Sequence, residues 1–204
     1  MPVIGITGGI ATGKSALSGE LRRLLPAAQF FDADQSARDL TDRDAEVRAL
    51  VEEAFGREIY SAEGHLNRTA LRTIVFGDPG KKLALEQILH PRIRRQWAVQ
   101  AESRRESTEL FLADIPLLYE TGGETLCDRV VVVACSQRIQ LQRLMARSSL
   151  SQMEAEQIIA AQMPLAEKIG RADHVIWNNG PLAVLAAQAA TLAAAWQEKS
   201  GGDR

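Results

Sequence analysis

The stretch Gly8-Gly9-Ile10-Ala11-Thr12-Gly13-Lys14-Ser15 constrains this chain more than any other. Its spacing, G-x-x-x-x-G-K-[ST], is that of a phosphate-cradling loop, which must sit between a strand and a helix. Val3-Ile4-Gly5-Ile6 before it reads as a short buried strand. After it, Ala16, Leu17, Leu21, Leu24 and Leu25 recur at helical spacing. Glycines let the backbone turn its N–H groups inward around an anion, and the positive end of the following helix faces the same charge. Gly8, Gly9, Ile10, Ala11, Thr12, Gly13, Lys14, Ser15 and Ala16 are therefore the candidate nucleotide-binding residues. Lys14 bridges the outer phosphates in this reading, and the Ser15 hydroxyl is a candidate Mg²⁺ ligand.

A loop of this kind commits the chain to an α/β fold with a parallel sheet. Stretches at Gln29-Phe30-Phe31, Leu110 to Asp114, Val130 to Ala134 and Asp173 to Trp177 supply four further strands. The length of 204 residues suits one such domain with an insertion, and a chain of this size buries about 70% of its unfolded surface without staples. The 46% hydrophobic and 25% charged composition is that of a soluble globular protein. The net charge of −2 gives no global excess to neutralise a nucleic acid backbone, so no nucleic acid partner is expected. The two cysteines, Cys127 and Cys135, lack metal spacing and read as core residues in a reducing compartment. No run of membrane length and no leader pattern is apparent, so the expected location is cytoplasmic, with no membrane contact.

Strand 2 runs into Asp32-Ala33-Asp34, an acidic pair at the sheet edge where ligands bind. On a strand the two carboxylates share a face, while Asp34 is also placed to cap a helix starting near Gln35. From there to about Arg105 the pattern is helical. Asp44 and Asn67 stand as caps, Gly56 as a stop, and Pro79 at the first position of a helix that runs to His90. Pro91 then starts another helix, and Arg92, Arg94, Arg95, Arg104 and Arg105 follow as a basic cluster. This length exceeds an ordinary crossover and is read as a helical insertion.

Asp114 closes strand 3 as a Walker B-like acid near Mg²⁺. Arg143 and Arg147 share a helix face after strand 4, where phosphate-transfer enzymes carry a cationic lid. Ser151-Gln152-Met153-Glu154 is a capping box opening a helix read as Ala155 to Met163, interrupted at Pro164 and followed by Lys168 and Arg171. The closing helix runs from Leu182 to Trp196, and the tail from Ser200 to Arg204 reads as frayed.

Assembled in order, these pieces closely resemble the dephospho-coenzyme A kinase family. The resemblance is carried by Ile6-Thr7-Gly8-Gly9 with Gly13-Lys14-Ser15, Asp32-Ala33-Asp34, Leu89-His90-Pro91 and Pro116-Leu117-Leu118-Tyr119-Glu120. Arg143 to Arg147, Gln162 and Ala172-Asp173 through Asn178-Asn179-Gly180 complete it, from about Val3 to Trp196. It implies a P-loop three-layer fold with a five-stranded parallel sheet, a helical insertion and a lid. The nucleotide core would be 1–34 plus 107–204, the lid about 147–172 and the acceptor-binding insertion 35–106. The implied activity is transfer of the γ-phosphate of ATP, with Mg²⁺, to the ribose 3′-hydroxyl of dephospho-coenzyme A. In that reading Asp34 orients the acceptor hydroxyl and takes its proton, with Lys14 and Arg147 as the catalytic cations. Arg143, Asn179 and Gly180 lie at the nucleotide, and His90 and Leu117 at the acceptor. Two residues depart from the family loop: Ala11 and Thr12 stand where glycine and serine are usual, so Ala11 needs a negative φ or accepts strain.

Rival readings are another nucleoside or nucleotide kinase, a P-loop regulatory module, and a nucleic-acid binder using the insertion's arginines. A GTP switch would show Asn-Lys-x-Asp and Asp-x-x-Gly; here Asp114 is followed by Ile115-Pro116-Leu117.

Overall fold

The apolar runs become five strands in a computed structural model, which describes residues 2–104, 107 and 109–201. They are β1 (Val3–Gly8), β2 (Gln29–Asp32), β3 (Phe111–Asp114), β4 (Arg129–Ala134) and β5 (His174–Trp177). One sheet holds them in the order β2-β3-β1-β4-β5. β1 pairs in parallel with β3, with Ile6 opposite Asp114, and with β4; β4 pairs in parallel with β5. Every residue of β1 is buried, and β4 is buried from Val130 onward, because strands covered on both faces have no polar side to show. The loop at the carboxyl end of β1 therefore opens at the centre of the sheet, where ligands of open α/β sheets bind.

The nine helices among the described residues are α1 (Lys14–Leu24), α2 (Ala33–Arg43), α3 (Ala45–Phe55), α4 (Arg68–Gly77), α5 (Pro79–Arg104), α6 (Gln137–Ser148), α7 (Gln152–Ala160), α8 (Leu165–Gly170) and α9 (Leu182–Gly201). None is long and apolar enough to cross a membrane. The chain forms two compact units, one of Met1–Phe31 with Gln100–Arg204 and one of Asp32–Val99.

In the first unit the core is Ile4 and Ile6 of β1, Leu17 and Leu21 of α1, Val131 and Val133 of β4, and Leu185 and Ala189 of α9. Leu17 and Leu21 are four apart, which puts both on the stripe of α1 that faces the sheet. The second unit has its own core, built from Leu40, Val47, Val51, Phe55 and Leu71 with Ile88, Leu89 and Ile93 against them. Its helices begin at side-chain caps: Asp44 accepts from the Val47 N–H and Asn67 from the Ala70 N–H, both at 3.0 Å. Gly56 ends α3 with φ 94.

Three sequence expectations are corrected. Asp34 is neither on a strand nor the cap of α2. The helix starts two residues early, Asp32 caps it by accepting from the Gln35 N–H at 3.0 Å, and Asp34 lies in the first turn, where the helix dipole favours an acid. Pro91 does not begin a helix; α5 runs through it from Pro79 to Arg104. Proline there removes one intrahelical donor, and the neighbouring Arg92 guanidinium donates to the Ile88 carbonyl at 2.9 Å while pairing with Glu46. Finally, α7 stops at Ala160, which releases Gln162 and Met163 for contacts outside the helix. Arg105 and residues 202–204 of the expected frayed tail lie outside the described residues.

Candidate active site

β1 delivers the chain to Gly8, and α1 takes it up again at Lys14. Between them the backbone visits the left-handed region twice, at Ala11 (φ 60) and Gly13 (φ 100). Gly13 is irreplaceable on two counts. Its φ suits only glycine, and a Cβ there would lie 2.0 Å from Asn178 Nδ2. Ala11 adopts the conformation that the family's usual glycine would take freely, so the strain foreseen for this substitution is present.

The loop is braced from inside and outside. Thr12, fully buried, donates its hydroxyl to the Gly9 carbonyl at 2.8 Å. The Ile10 peptide is gripped on both sides: its N–H donates to Gln162 Oε1 at 2.8 Å, and its carbonyl accepts from Gln140 Nε2 at 2.9 Å. The Thr12 carbonyl accepts from Asn178 Nδ2 at 2.8 Å and, more weakly, from Arg143 at 3.4 Å. These carbonyls are turned away from the cradle. The Ala16 and Leu17 N–H groups both donate to the Gly13 carbonyl, at 3.0 and 3.2 Å, so the open backbone donors at the start of α1 are those of Lys14 and Ser15, at the positive end of the helix dipole.

Lys14 and Asp114 meet below the loop. β1 and β3 are adjacent and in register, which brings the acid at the end of β3 beside the first turn of α1. The Lys14 ammonium donates to Asp114 Oδ1, and the Ser18 hydroxyl donates to Asp114 Oδ2 at 2.5 Å. Side chains of both charged partners are largely shielded, 14% and 5% exposed. A pair so placed is held firmly because neither charge has water to fall back on. Among the described residues no three of His, Cys, Asp or Glu gather around a cation position.

The remaining predicted residues are placed as follows. Arg143 is half-buried, against Thr12 and beside Cys135. Burial pushes the Cys135 thiol up, against the lowering effect of the Arg143 guanidinium. Arg147, one turn on, is exposed. Asn179 accepts from the Ser136 N–H at 2.7 Å, tying the β5–α9 turn to the start of α6, with Gly180 exposed beside it. Leu117 is half-buried in the segment after β3. In the second unit, Asp34 is exposed in α2 and His90 half-buried in α5.

Sequence reasoning did not single out Gln140, Ser18 or Lys168, and it favoured Asn179 over Asn178. Ser18 lies four residues after Lys14, one turn along the same face of α1, so helical spacing alone could have flagged it. For Gln140 and Asn178 no local signal exists, since their partner is a backbone carbonyl more than a hundred residues away.

A family profile described as CoaE, dephospho-CoA kinase, matches residues 2–183. The dephospho-CoA kinase of Symbiobacterium thermophilum is 43% identical over 204 residues, covering 100% of this chain and 83% of that protein. That of Bacillus cereus is 42% identical over 181 residues, covering 88% and 90%. Among solved structures, the dephospho-CoA kinase from Campylobacter jejuni aligns with TM-score 0.72 at 26% identity, over 99% and 98% of the two chains. A Thermus thermophilus protein, TT1252, aligns with TM-score 0.70 at 37% identity, over 95% and 97%. With a braced phosphate loop, a lysine–aspartate pair beneath it and a family match over nearly its whole length, this chain belongs to the dephospho-CoA kinase family.

Proposed function

We propose that this protein transfers the γ-phosphate of ATP to the ribose 3′-hydroxyl of dephospho-coenzyme A in the cytoplasm. The observation that carries the reading is the loop from Gly8 to Ser15, held in an anion-binding shape with Lys14 poised on Asp114. In this proposal residues 147–172 act as lid and 35–106 receive the acceptor, with His90 and Leu117 against it. Arg143, Asn179 and Gly180 border the nucleotide.

Phosphoryl transfer passes through a loose transition state, so catalysis is chiefly positioning and charge stabilisation. The loop N–H groups and Lys14 take up negative charge on the outer phosphates, and Arg147 adds a further cation as the lid closes. Asp34 holds the acceptor hydroxyl in line and takes its proton late, a task an ordinary carboxylate performs. Ser15 would offer a hydroxyl and Asp114 a carboxylate to Mg²⁺, and among the described residues no larger acidic cluster joins them, which suits an ion that would take its other ligands from phosphate and water. When bound, the ion neutralises charge on the phosphates.

The test is ADP release with Mg-ATP and a panel of dephospho-coenzyme A, AMP, adenosine, shikimate and pantothenate, with product identified by mass. Phosphate added to dephospho-coenzyme A alone, at the 3′ position, is expected. Faster turnover on another acceptor would replace the substrate while leaving the cradle intact. Asp34→Asn should bind ATP normally and lose about 10²–10⁴-fold in kcat; near-normal turnover would remove Asp34 from the proton transfer.

A further inference from the structure

Lys168 is the most deeply buried charge in the described chain outside the site above. It lies in α8, its side chain is 0% exposed, and sequence analysis gave it no role. The ammonium makes an ion pair with Glu120 Oε1 at 2.8 Å and points two further hydrogens at carbonyls, Pro116 at 3.3 Å and Gly8 at 3.4 Å. An ammonium has three donors, and these three acceptors use all of them. A cation stripped of water and satisfied in this way cannot drift without leaving a charge and two carbonyls unpaired.

The identity of the acceptors gives the arrangement its meaning. Gly8 is the last residue of β1 and the first of the phosphate loop. Pro116 lies two residues beyond Asp114, the end of β3. One ammonium thus fixes the exits of the two strands that carry Lys14's loop and Lys14's partner. Because the peptide is planar, holding the Gly8 carbonyl also sets the direction of the Gly9 N–H. The Pro116 carbonyl receives a second bond, from the Thr7 hydroxyl at 3.0 Å. Glu120 Oε1 also accepts from the Met163 N–H at 3.1 Å, and Met163 adjoins Gln162, which grips Ile10. The stretch from Gln162 to Lys168 is therefore fastened at Ile10 and Glu120 before α8 and at Gly8, Pro116 and Glu120 from within it.

We propose that Lys168, with Glu120 as its counter-ion, is a positioning residue for phosphoryl transfer, joining α8 to the phosphate loop and to the exit of β3. The proposal rests on reading residues 8–15 as the nucleotide cradle. Lys168 touches no substrate in it; it acts through Gly8 and Pro116.

The test compares Lys168→Met, Glu120→Gln and the double variant in kinetics, thermal melting and amide exchange. Lys168→Met should lower kcat with dephospho-coenzyme A about 10–100-fold, the scale of a small misplacement of reacting groups. Exchange at the Gly9 and Ile10 amides should rise at least about tenfold against the amides of Val131 and Val132 in β4, since a local loosening exceeds any global one. Glu120→Gln should show the same pattern in weaker form. The double variant, which buries no charge, should regain melting temperature but not kcat. Recovery of both by the double variant would reduce the pair to a stability element and overturn the proposal. So would unchanged kcat in Lys168→Met, or exchange that rises equally in β4 and in the loop. If Lys168→Met does not fold, the double variant carries the kinetic and exchange criteria unchanged. If the wild-type protein phosphorylates a different acceptor, the substrate reading fails, and the same comparisons with that acceptor still decide the role of Lys168.

Discussion

Gly13→Ala separates two kinds of constraint that meet at one residue. The first is conformational: at φ 100 a Cβ sits in the left-handed region, at a cost of roughly 1–2 kcal/mol. The second is steric. The new Cβ would lie 2.0 Å from Asn178 Nδ2, so the Asn178 amide must move and its bond to the Thr12 carbonyl breaks. Leaving that carbonyl with only the 3.4 Å contact from Arg143 costs about 1–3 kcal/mol. Against both stands about 0.4–1 kcal/mol from the stiffer unfolded chain. The net loss is about 1–5 kcal/mol, a fall in Tm of roughly 2–20 °C for a chain of this size. Melting of the wild type, Gly13→Ala, Asn178→Ala and the double variant forms a cycle. The double variant should be more stable than the sum of the singles predicts, by about the value of the shared bond, because that bond is lost once and counted twice. ATP titration of the same four proteins reports the loop itself, and Gly13→Ala should bind most weakly. A Gly13→Ala protein that melts with the wild type would refute the conformational argument, and strict additivity in the cycle would refute the steric one.

Ala11→Gly should raise stability by about 0.5–1 kcal/mol, since release of strain at φ 60 outweighs the added freedom of the unfolded chain; an unchanged or lower Tm would count against strain at that site. Tyr119→Phe should stabilise by about 1 kcal/mol. The Tyr119 hydroxyl is buried with no hydrogen-bond partner among the described residues, while the Arg171 guanidinium, 4.3 Å above the ring, keeps its contact with Phe; a drop in Tm would reveal a partner for the hydroxyl. Burial, with help from Asp128 and Glu124, pushes the Cys127 thiol up to about 12. The raised group holds its proton longer in the native state than in the unfolded chain. Its stabilisation is therefore complete below about pH 8.5 and is lost as pH rises toward 12, at up to about 1.4 kcal/mol per pH unit. Denaturant melts from pH 8 to 11 should show this slope in the wild type and a shallower one in Cys127→Ala; equal slopes would remove Cys127 as the source.

What was legible in the sequence was what is local. The phosphate loop, the caps at Asp44 and Asn67, the stop at Gly56 and the capping box at Ser151 with Glu154 all depend on residues within one turn of each other. The three central strands, β1, β3 and β4, were legible because burial on both faces leaves continuous apolar runs, and the edge strands β2 and β5 as short apolar stretches between helices. Their order was not, since pairing is decided by crossovers that leave no mark on the strands themselves. At Asp32-Ala33-Asp34 the sequence pointed to Asp34 as the cap, and the end of β2 at Asp32 put the cap two residues earlier. At Pro91 local chemistry pointed to a break, yet the packing of Leu89 and Ile93 against the second unit's core spans the proline and keeps the helix continuous. Asn178, Gln140 and Lys168 were illegible for a related reason. Each acts on a backbone atom, and a backbone atom has no sequence identity to match.

The long reach of those bonds bears on how the protein is made. Residues 8–15 leave the ribosome early, but the side chains that shape them stand at 140, 143, 162, 168 and 178. The strands flanking β1 also come late, at Phe111 and Arg129. Contacts of such sequence separation form slowly and only after the intervening chain exists. A nascent chain short of Asn178 thus carries the phosphate-binding motif without its shape, and competence to hold nucleotide waits for the docking of β5.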